Sequence, residues 1–168
     1  MNLLAYGIEV VIKALLFILP AYIANMTPLI VANVIRNRRP IDMGKYWIDG
    51  KRVLGDNKSV EGFASGVIAG IIVGVALGSP FRGFLMGLGA MAGDVLGSFV
   101  KRRLNIAQGE SAPILDQYLF VLMALLFSSF AGYTATLEEL AVILIVTPLL
   151  HLTGNYVAYL LKIKRKPF

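Results

Sequence analysis

Asp94 stands inside the run GAMAGDVLGSFVKRR, residues 89–103, whose other members up to Val100 are glycine, alanine, serine and larger apolar residues. A carboxylate in such a helix costs ~2.5–3.5 kcal/mol on membrane-insertion scales and is a functional candidate by default. On a helix, Ser98 lies one turn beyond it and Lys101 two turns beyond, on the same face. A carboxylate, a hydroxyl and an ammonium then line one stripe leading to the basic end Lys101, Arg102 and Arg103. The competing reading is an internal salt bridge that only neutralises Asp94. A second carboxylate follows in GESAPILDQYLF, residues 109–120. Ser111 has the chemistry of an N-cap, Pro113 suits a first helical turn, and Asp116 falls in that turn. Two carboxylates on consecutive helices repel unless something is shared between them. A Mg²⁺ ion held by one or two carboxylates plus substrate phosphates is the usual arrangement. The alternative for Asp116 alone is a partner for the helix dipole.

The stretch PIDMGKYWIDGKRVLGDNKSVEGF, Pro40–Phe63, interleaves glycines and carboxylates with cations. Gly55 lets backbone approach a ligand, Lys58 reaches a phosphate as a point charge, and Asn57 and Ser59 can hydrogen-bond it. Gly50 and Gly55 have P-loop spacing, but Asp56 and Asn57 separate them from Lys58 and Ser59, so no P-loop is expected. Arg36, Arg38 and the C-terminal tail read as topology determinants and contacts to anionic head groups, each worth ~1 kcal/mol. His151 and Asn155, one turn apart, form either a packing pair or part of a cavity wall. With one histidine and no cysteine in the chain, zinc hydrolase, histidine-triad and thiolate-metal chemistries have little support.

These residues must be held by apolar elements. Of the 168 residues 57% are apolar and 15% charged, and mean hydropathy is +0.73. Soluble domains carry about 25% charged residues, so the reading is an all-α, polytopic protein of the cell membrane. Five spans are expected: one within Leu3–Ile35, then Phe63–Phe81, Gly83–Val100, Tyr118–Leu137 and Leu140–Leu161. The first, as one helix, measures about 50 Å, with Pro20 and Pro28 as candidate kinks. Residues 1–168 form a single membrane domain with 36–62 as a cytoplasmic loop. Glu9, Lys13 and the apolar stretch after them do not read as a signal peptide. The loop, the segment Lys101–Arg103 and the tail hold 14 of the 16 cations. This places them in the cytoplasm and the N-terminus outside, and it accounts for the net charge of +6 without a nucleic-acid partner. Gly62, Gly66, Gly70, Gly74 and Gly78 recur every four residues, and Gly89, Gly93 and Gly97 do the same. Such stripes serve close helix packing within one chain or a homodimer seam.

GDVLGSFVKRR, Gly93–Arg103, resembles the Gly-Asp-x-x-x-Ser-x-x-Lys-Arg element of the CTP:phosphatidate cytidylyltransferase superfamily. LDQY, Leu115–Tyr118, resembles the core of its second acidic element, with Gln117 in place of the usual Arg. PIDMG (Pro40–Gly44), LGDNKSVEGF (Leu54–Phe63), HLTGNYVAYLLKIKRKP (His151–Pro167) and the five spans resemble its archaeal branch, the CDP-archaeol synthases. The resemblance implies transfer of CMP from CTP to an unsaturated archaeal diether glycerol phosphate, with Mg²⁺. It implies that Asp94 and Asp116 hold one or two metal ions, that Lys101 and Arg102 hold phosphates, and that Asp56, Asn57, Lys58 and Ser59 contact the nucleotide. The rival reading is a small transporter or scaffold with Asp94 as an ion-coupling site; the chain shows no internal repeat of the kind transporters carry.

Overall fold

The computed structural model describes residues 2–162, and these form five helices with no β-strand: α1 (Leu3–Val34), α2 (Val60–Ala76), α3 (Pro80–Arg103), α4 (Pro113–Ser129) and α5 (Leu137–Leu160). Lys164, Arg165 and Lys166 of the basic tail lie outside the described residues. α1, α3 and α5 are long and apolar enough to cross a membrane. α2 and α4 are apolar but have 17 residues each, about 25 Å of helix.

The expected spans are all present, with shifted ends. α2 stops at Ala76 rather than Phe81, because Gly78 takes a left-handed conformation (φ +69°) and Pro80 opens α3. α4 runs from Pro113 to Ser129 instead of 118–137. It ends where Gly132 (φ +78°) turns the chain and the Tyr133 N–H reaches the Ser128 carbonyl at 3.1 Å. α5 starts at Leu137, set by a capping box between Thr136 and Glu139. α1 is one helix that contains both Pro20 and Pro28.

α3 is the central helix, packed against α1, α2 and α4. Half of its most apolar window is buried in protein, against 17% for α1 and 11% for α5, so the latter two present most of their surface to lipid. Ala14, Ile18, Ala21 and Ala24 of α1, Met86, Ala90 and Met91 of α3, Phe120, Val121 and Ala124 of α4 and Ile143 of α5 form the core. The glycine stripes serve packing within the chain. A Cβ on Gly74 would come within 2.6 Å of the Gly83 Cα, and one on Gly93 within 2.5 Å of the Leu119 carbonyl oxygen.

The loop between α1 and α2 is held by its own hydrogen bonds. Its ends pair antiparallel, Ile41 N–H to Lys58 O (2.8 Å) and Val60 N–H to Arg39 O (2.9 Å). Its middle is organised by Asp42, whose side chain is fully buried. Asp42 accepts from the Arg52 guanidinium (2.9 and 3.2 Å) and from the backbone N–H groups of Gly44, Leu54 and Gly55. The loop then docks on the basic end of α3. Arg103 pairs with Asp49 (2.7 Å) and donates to the Arg52 carbonyl, Lys51 donates to the Arg103 carbonyl, and Trp47 meets Phe99 edge to face.

Candidate active site

Docking of this loop closes a small cavity among α1, α2 and α3. Pro28, Arg38, Ile41, Asn57, Lys58, Ser59, Gly62, Phe63, Met91, Asp94 and Val95 line it. Asp94 and Lys58 form an ion pair at 2.5 Å, with side chains 31% and 24% exposed. The antiparallel pairing of the loop ends sets Lys58 over the middle of α3. This pair offsets the cost of a carboxylate in the helix, and it comes from the loop rather than from Lys101.

Lys101 binds the second carboxylate. Its ammonium contacts both oxygens of Asp116, at 2.8 and 3.1 Å, and donates to the Glu110 carbonyl. α4 packs on the glycine face of α3, so Lys101, four residues after Gly97, reaches α4 directly. Gly93 abuts Leu119 and Phe120, whereas Gly97 lies nearest Leu115 and Leu119. Asp116 therefore sits about one turn, ~5 Å, nearer the basic end than Asp94. The expected line of Asp94, Ser98 and Lys101 is thus divided into two lysine–aspartate pairs. Ser98 is buried at 7% exposure and is not in the cavity wall. Arg102 donates to the Ala107 carbonyl at 3.2 Å and braces the α3–α4 turn. The N-cap of α4 is Ala112 rather than Ser111; Asp116 caps the helix by accepting from the Ala112 N–H at 2.9 Å.

Of the loop residues, Asn57, Lys58 and Ser59 line the cavity. Ser59 also caps α2, accepting from the Gly62 N–H at 3.1 Å. Asp56 is exposed and pairs with Arg52 at 2.7 Å. Gly55 has φ +104°, and the group that approaches it closely is the Gln108 side chain, 3.1 Å from an added Cβ. The carboxamide oxygen of Gln108, in the orientation that matches donors to acceptors, accepts from the N–H groups of Asp56 and Asn57, both at 2.9 Å. The α3–α4 turn therefore clamps the segment that leads into Lys58.

Gln108 and most contacts of Asp42 escaped the sequence reading because the partners are backbone N–H groups, which carry no residue signature. Burial alone would raise the Asp42 carboxyl, but the Arg52 guanidinium and the N–H groups of Gly55, Leu54 and Gly44 hold it well below the usual carboxylate range. Beside the cavity, Arg39 grips Glu61 through its side chain and its N–H and lowers that carboxyl to about 2. His151 and Asn155 contact each other at 3.3 Å on α5, the packing pair the spacing allows.

Asp94 supplies a hard oxygen donor on the cavity wall, and the Asp116 carboxylate, held by Lys101, lies about one turn nearer the basic end and outside the cavity lining. Among the described residues no group of three or more His, Cys, Asp or Glu gathers. That donor set is too small to cage an ion alone. It suits Mg²⁺, which is bound through one or two carboxylates with phosphates completing its shell.

A helical membrane protein that sets a carboxylate, a lysine, an arginine and an amide side chain around a cavity among its helices is, by class, a membrane enzyme for a charged or phosphorylated substrate. The family model described as CarS-like, CDP-archaeol synthase, matches residues 7–168, and the chain belongs to that family. The CDP-archaeol synthase of Aeropyrum pernix is 44% identical over 97% of this chain and 95% of its own length. That of Methanopyrus kandleri is 44% identical over 93% and 92%. A solved structure, described as an intramembrane enzyme for archaeal membrane lipids biosynthesis, superposes with a TM-score of 0.72 at 43% identity, covering 86% of this chain and 94% of that one. The transporter or scaffold reading is accordingly not favoured.

Proposed function

We propose that the cavity is the cytidylyltransfer site of a CDP-archaeol synthase. The lipid substrate is an unsaturated diether glycerol phosphate, 2,3-bis-O-geranylgeranyl-sn-glycerol 1-phosphate, and the donor is CTP. An oxygen of the lipid phosphate forms a bond to the α-phosphorus of CTP, the bond from that phosphorus to the bridging oxygen breaks, and pyrophosphate leaves. The attacking phosphate is ionised at neutral pH, so no general base is needed. The protein's task is in-line positioning and neutralisation of charge.

The observation that carries this reading is the Asp94–Lys58 pair on the wall of a cavity at the basic end. Asp94, with Asp116, would hold Mg²⁺, which when bound neutralises phosphate charge and polarises the phosphoryl oxygens. Lys58 exchanges Asp94 for a phosphate oxygen of the nucleotide, while the Asn57 amide orients it. Lys101 and Arg102 draw the leaving pyrophosphate toward the cytoplasm. Gln108 and Asp42 keep the Gly55–Ser59 segment in register with Asp94. Gly66, Gly70 and Gly74 of α2 and Gly89 and Gly93 of α3 meet neighbouring helices of the same chain.

The test is pyrophosphate release by the purified protein with CTP, Mg²⁺ and the lipid phosphate. Asp94→Asn should lower kcat at least a hundredfold while leaving the melting temperature within a few degrees of wild type. Asp116→Ala should weaken the response to Mg²⁺, and Lys58→Ala should raise the KM for CTP. Turnover by Asp94→Asn at the wild-type rate would overturn the site, and CTP-independent transport with no pyrophosphate release would overturn the reaction.

A further inference from the structure

Arg38 follows α1 by four residues and reads from the sequence as one more topology cation. In the structure it lines the cavity with Lys58 and Asp94. Its Nε has no accessible surface and no hydrogen-bond partner. Among the described residues it has no carboxylate within ion-pair distance, whereas its neighbour Arg39 is held by Glu61 and Lys58 by Asp94. The titratable groups facing the cavity are thus two cations and one carboxylate, and the uncompensated charge is that of Arg38. A buried guanidinium donor left without an acceptor is costly. Its planar fork matches a phosphate in two-point contact, which an ammonium cannot reproduce.

We infer that Arg38 is the receptor for a phosphate group in this cavity, and that this phosphate is the lipid's. The inference rests on the cytidylyltransferase reading for the identity of the ligand. Two sources of the same chemistry exist, the lipid monophosphate and the CTP phosphates. The surroundings favour the first. Arg38 shares the cavity wall with Pro28 of α1, Phe63 of α2, and Met91 and Val95 of α3, apolar groups continuous with the membrane-spanning helices. Such a wall suits the first carbons of a glycerol ether. Asn57 and Lys58 carry the nucleotide role proposed above. Arg38 then holds the attacking phosphate against Asp94 and sets its angle of approach.

The experiment uses the full chain in detergent micelles and measures two ligands separately. Binding of the lipid phosphate and of CTP·Mg²⁺ is followed by thermal shift, and the KM for each by pyrophosphate release. Arg38→Gln should weaken lipid-phosphate binding, and raise its KM, about thirtyfold, while the values for CTP stay within twofold. Arg38→Lys, which keeps the charge and loses the fork, should recover part of the lipid affinity and serves as the check on folding. Unchanged lipid-phosphate binding in Arg38→Gln would overturn the assignment, as would a loss confined to CTP or a loss of both ligands in Arg38→Lys. Should the wild-type protein bind the lipid phosphate yet release no pyrophosphate from CTP, the reaction assignment fails. The comparison of wild type with Arg38→Gln would still decide the role of Arg38.

Discussion

Asp42 sets the geometry of the cavity without entering it. Its carboxylate gathers one guanidinium and three backbone N–H groups from both arms of the loop, so the segment carrying Asn57 and Lys58 is fixed relative to Arg38. Removing the charge from such a buried pair costs about 3 kcal/mol. Asp42→Asn should therefore speed hydrogen exchange at the Leu54 and Gly55 amides about a hundredfold at neutral pH, at 1.4 kcal/mol per factor of ten; exchange at the wild-type rate would show that the loop is held elsewhere. The pH dependence has a definite sign. The folded pKa of Asp42 lies below the unfolded value near ~4, so its contribution is complete above ~4 and is lost only as pH falls through the folded value. Wild-type protection at these two amides should persist from pH 7 down to about 4. The chemistry of Asp94, Lys58 and Asp116 was legible from residue type and position, because a carboxylate in an apolar helix is expensive. The pairing was not. Lys58 is 36 residues from Asp94 in the chain, and Lys101 offered a nearer partner by helical spacing until α4 was seen to occupy the face it reaches.

At the scale of the element, the glycines decide how closely α3 approaches its neighbours. A Cβ on Gly93 would sit 2.5 Å from the Leu119 carbonyl and 2.6 Å from the Phe120 Cα, and one on Gly89 2.5 Å from the Met123 carbonyl. Backbone cannot yield as a flexible side chain does, so α3 and α4 must separate, at a cost of about 1–3 kcal/mol. Gly154, in α5, and Gly7, in α1, have nothing within 4 Å of an added Cβ. Thermal denaturation in detergent should therefore show Gly93→Ala and Gly89→Ala melting several degrees below wild type. Gly154→Ala and Gly7→Ala should be neutral or slightly stabilising, since alanine is the better helix former by up to ~1 kcal/mol. Equal melting points across the four variants would mean that the helices do not pack as described. The stripes themselves were visible in the sequence, but not which neighbour they serve. Helix ends were the least legible feature. Hydropathy runs on past Ala76 and Ser129, while Gly78, Pro80, Gly132 and Thr136 fix the boundaries through φ and capping.

For the whole molecule, the charged residues assort by end. The loop, the tip of α3 and the start of α4 meet at one end, joined by Asp49–Arg103, Lys101–Asp116 and the Lys51 contact to the Arg103 carbonyl. At the other end the polar contacts are fewer: Tyr6 donates to Glu138 at 2.6 Å, and Arg82 lies over the Phe17 ring. From the cation bias we propose that the first end faces the cytoplasm, where nucleotide is available, and the second the outside. The chain has no cysteine, so single introduced thiols report the orientation without background. Ile48, at the tip of the docked loop, is 95% exposed, and Ala131, in the α4–α5 turn, is exposed as well. In intact cells a membrane-impermeant maleimide should label Ala131→Cys and spare Ile48→Cys. After permeabilisation both should react. Labelling of Ile48→Cys in intact cells would reverse the topology and place the cavity on the side away from CTP, removing the nucleotide role proposed for Lys58 and Asn57.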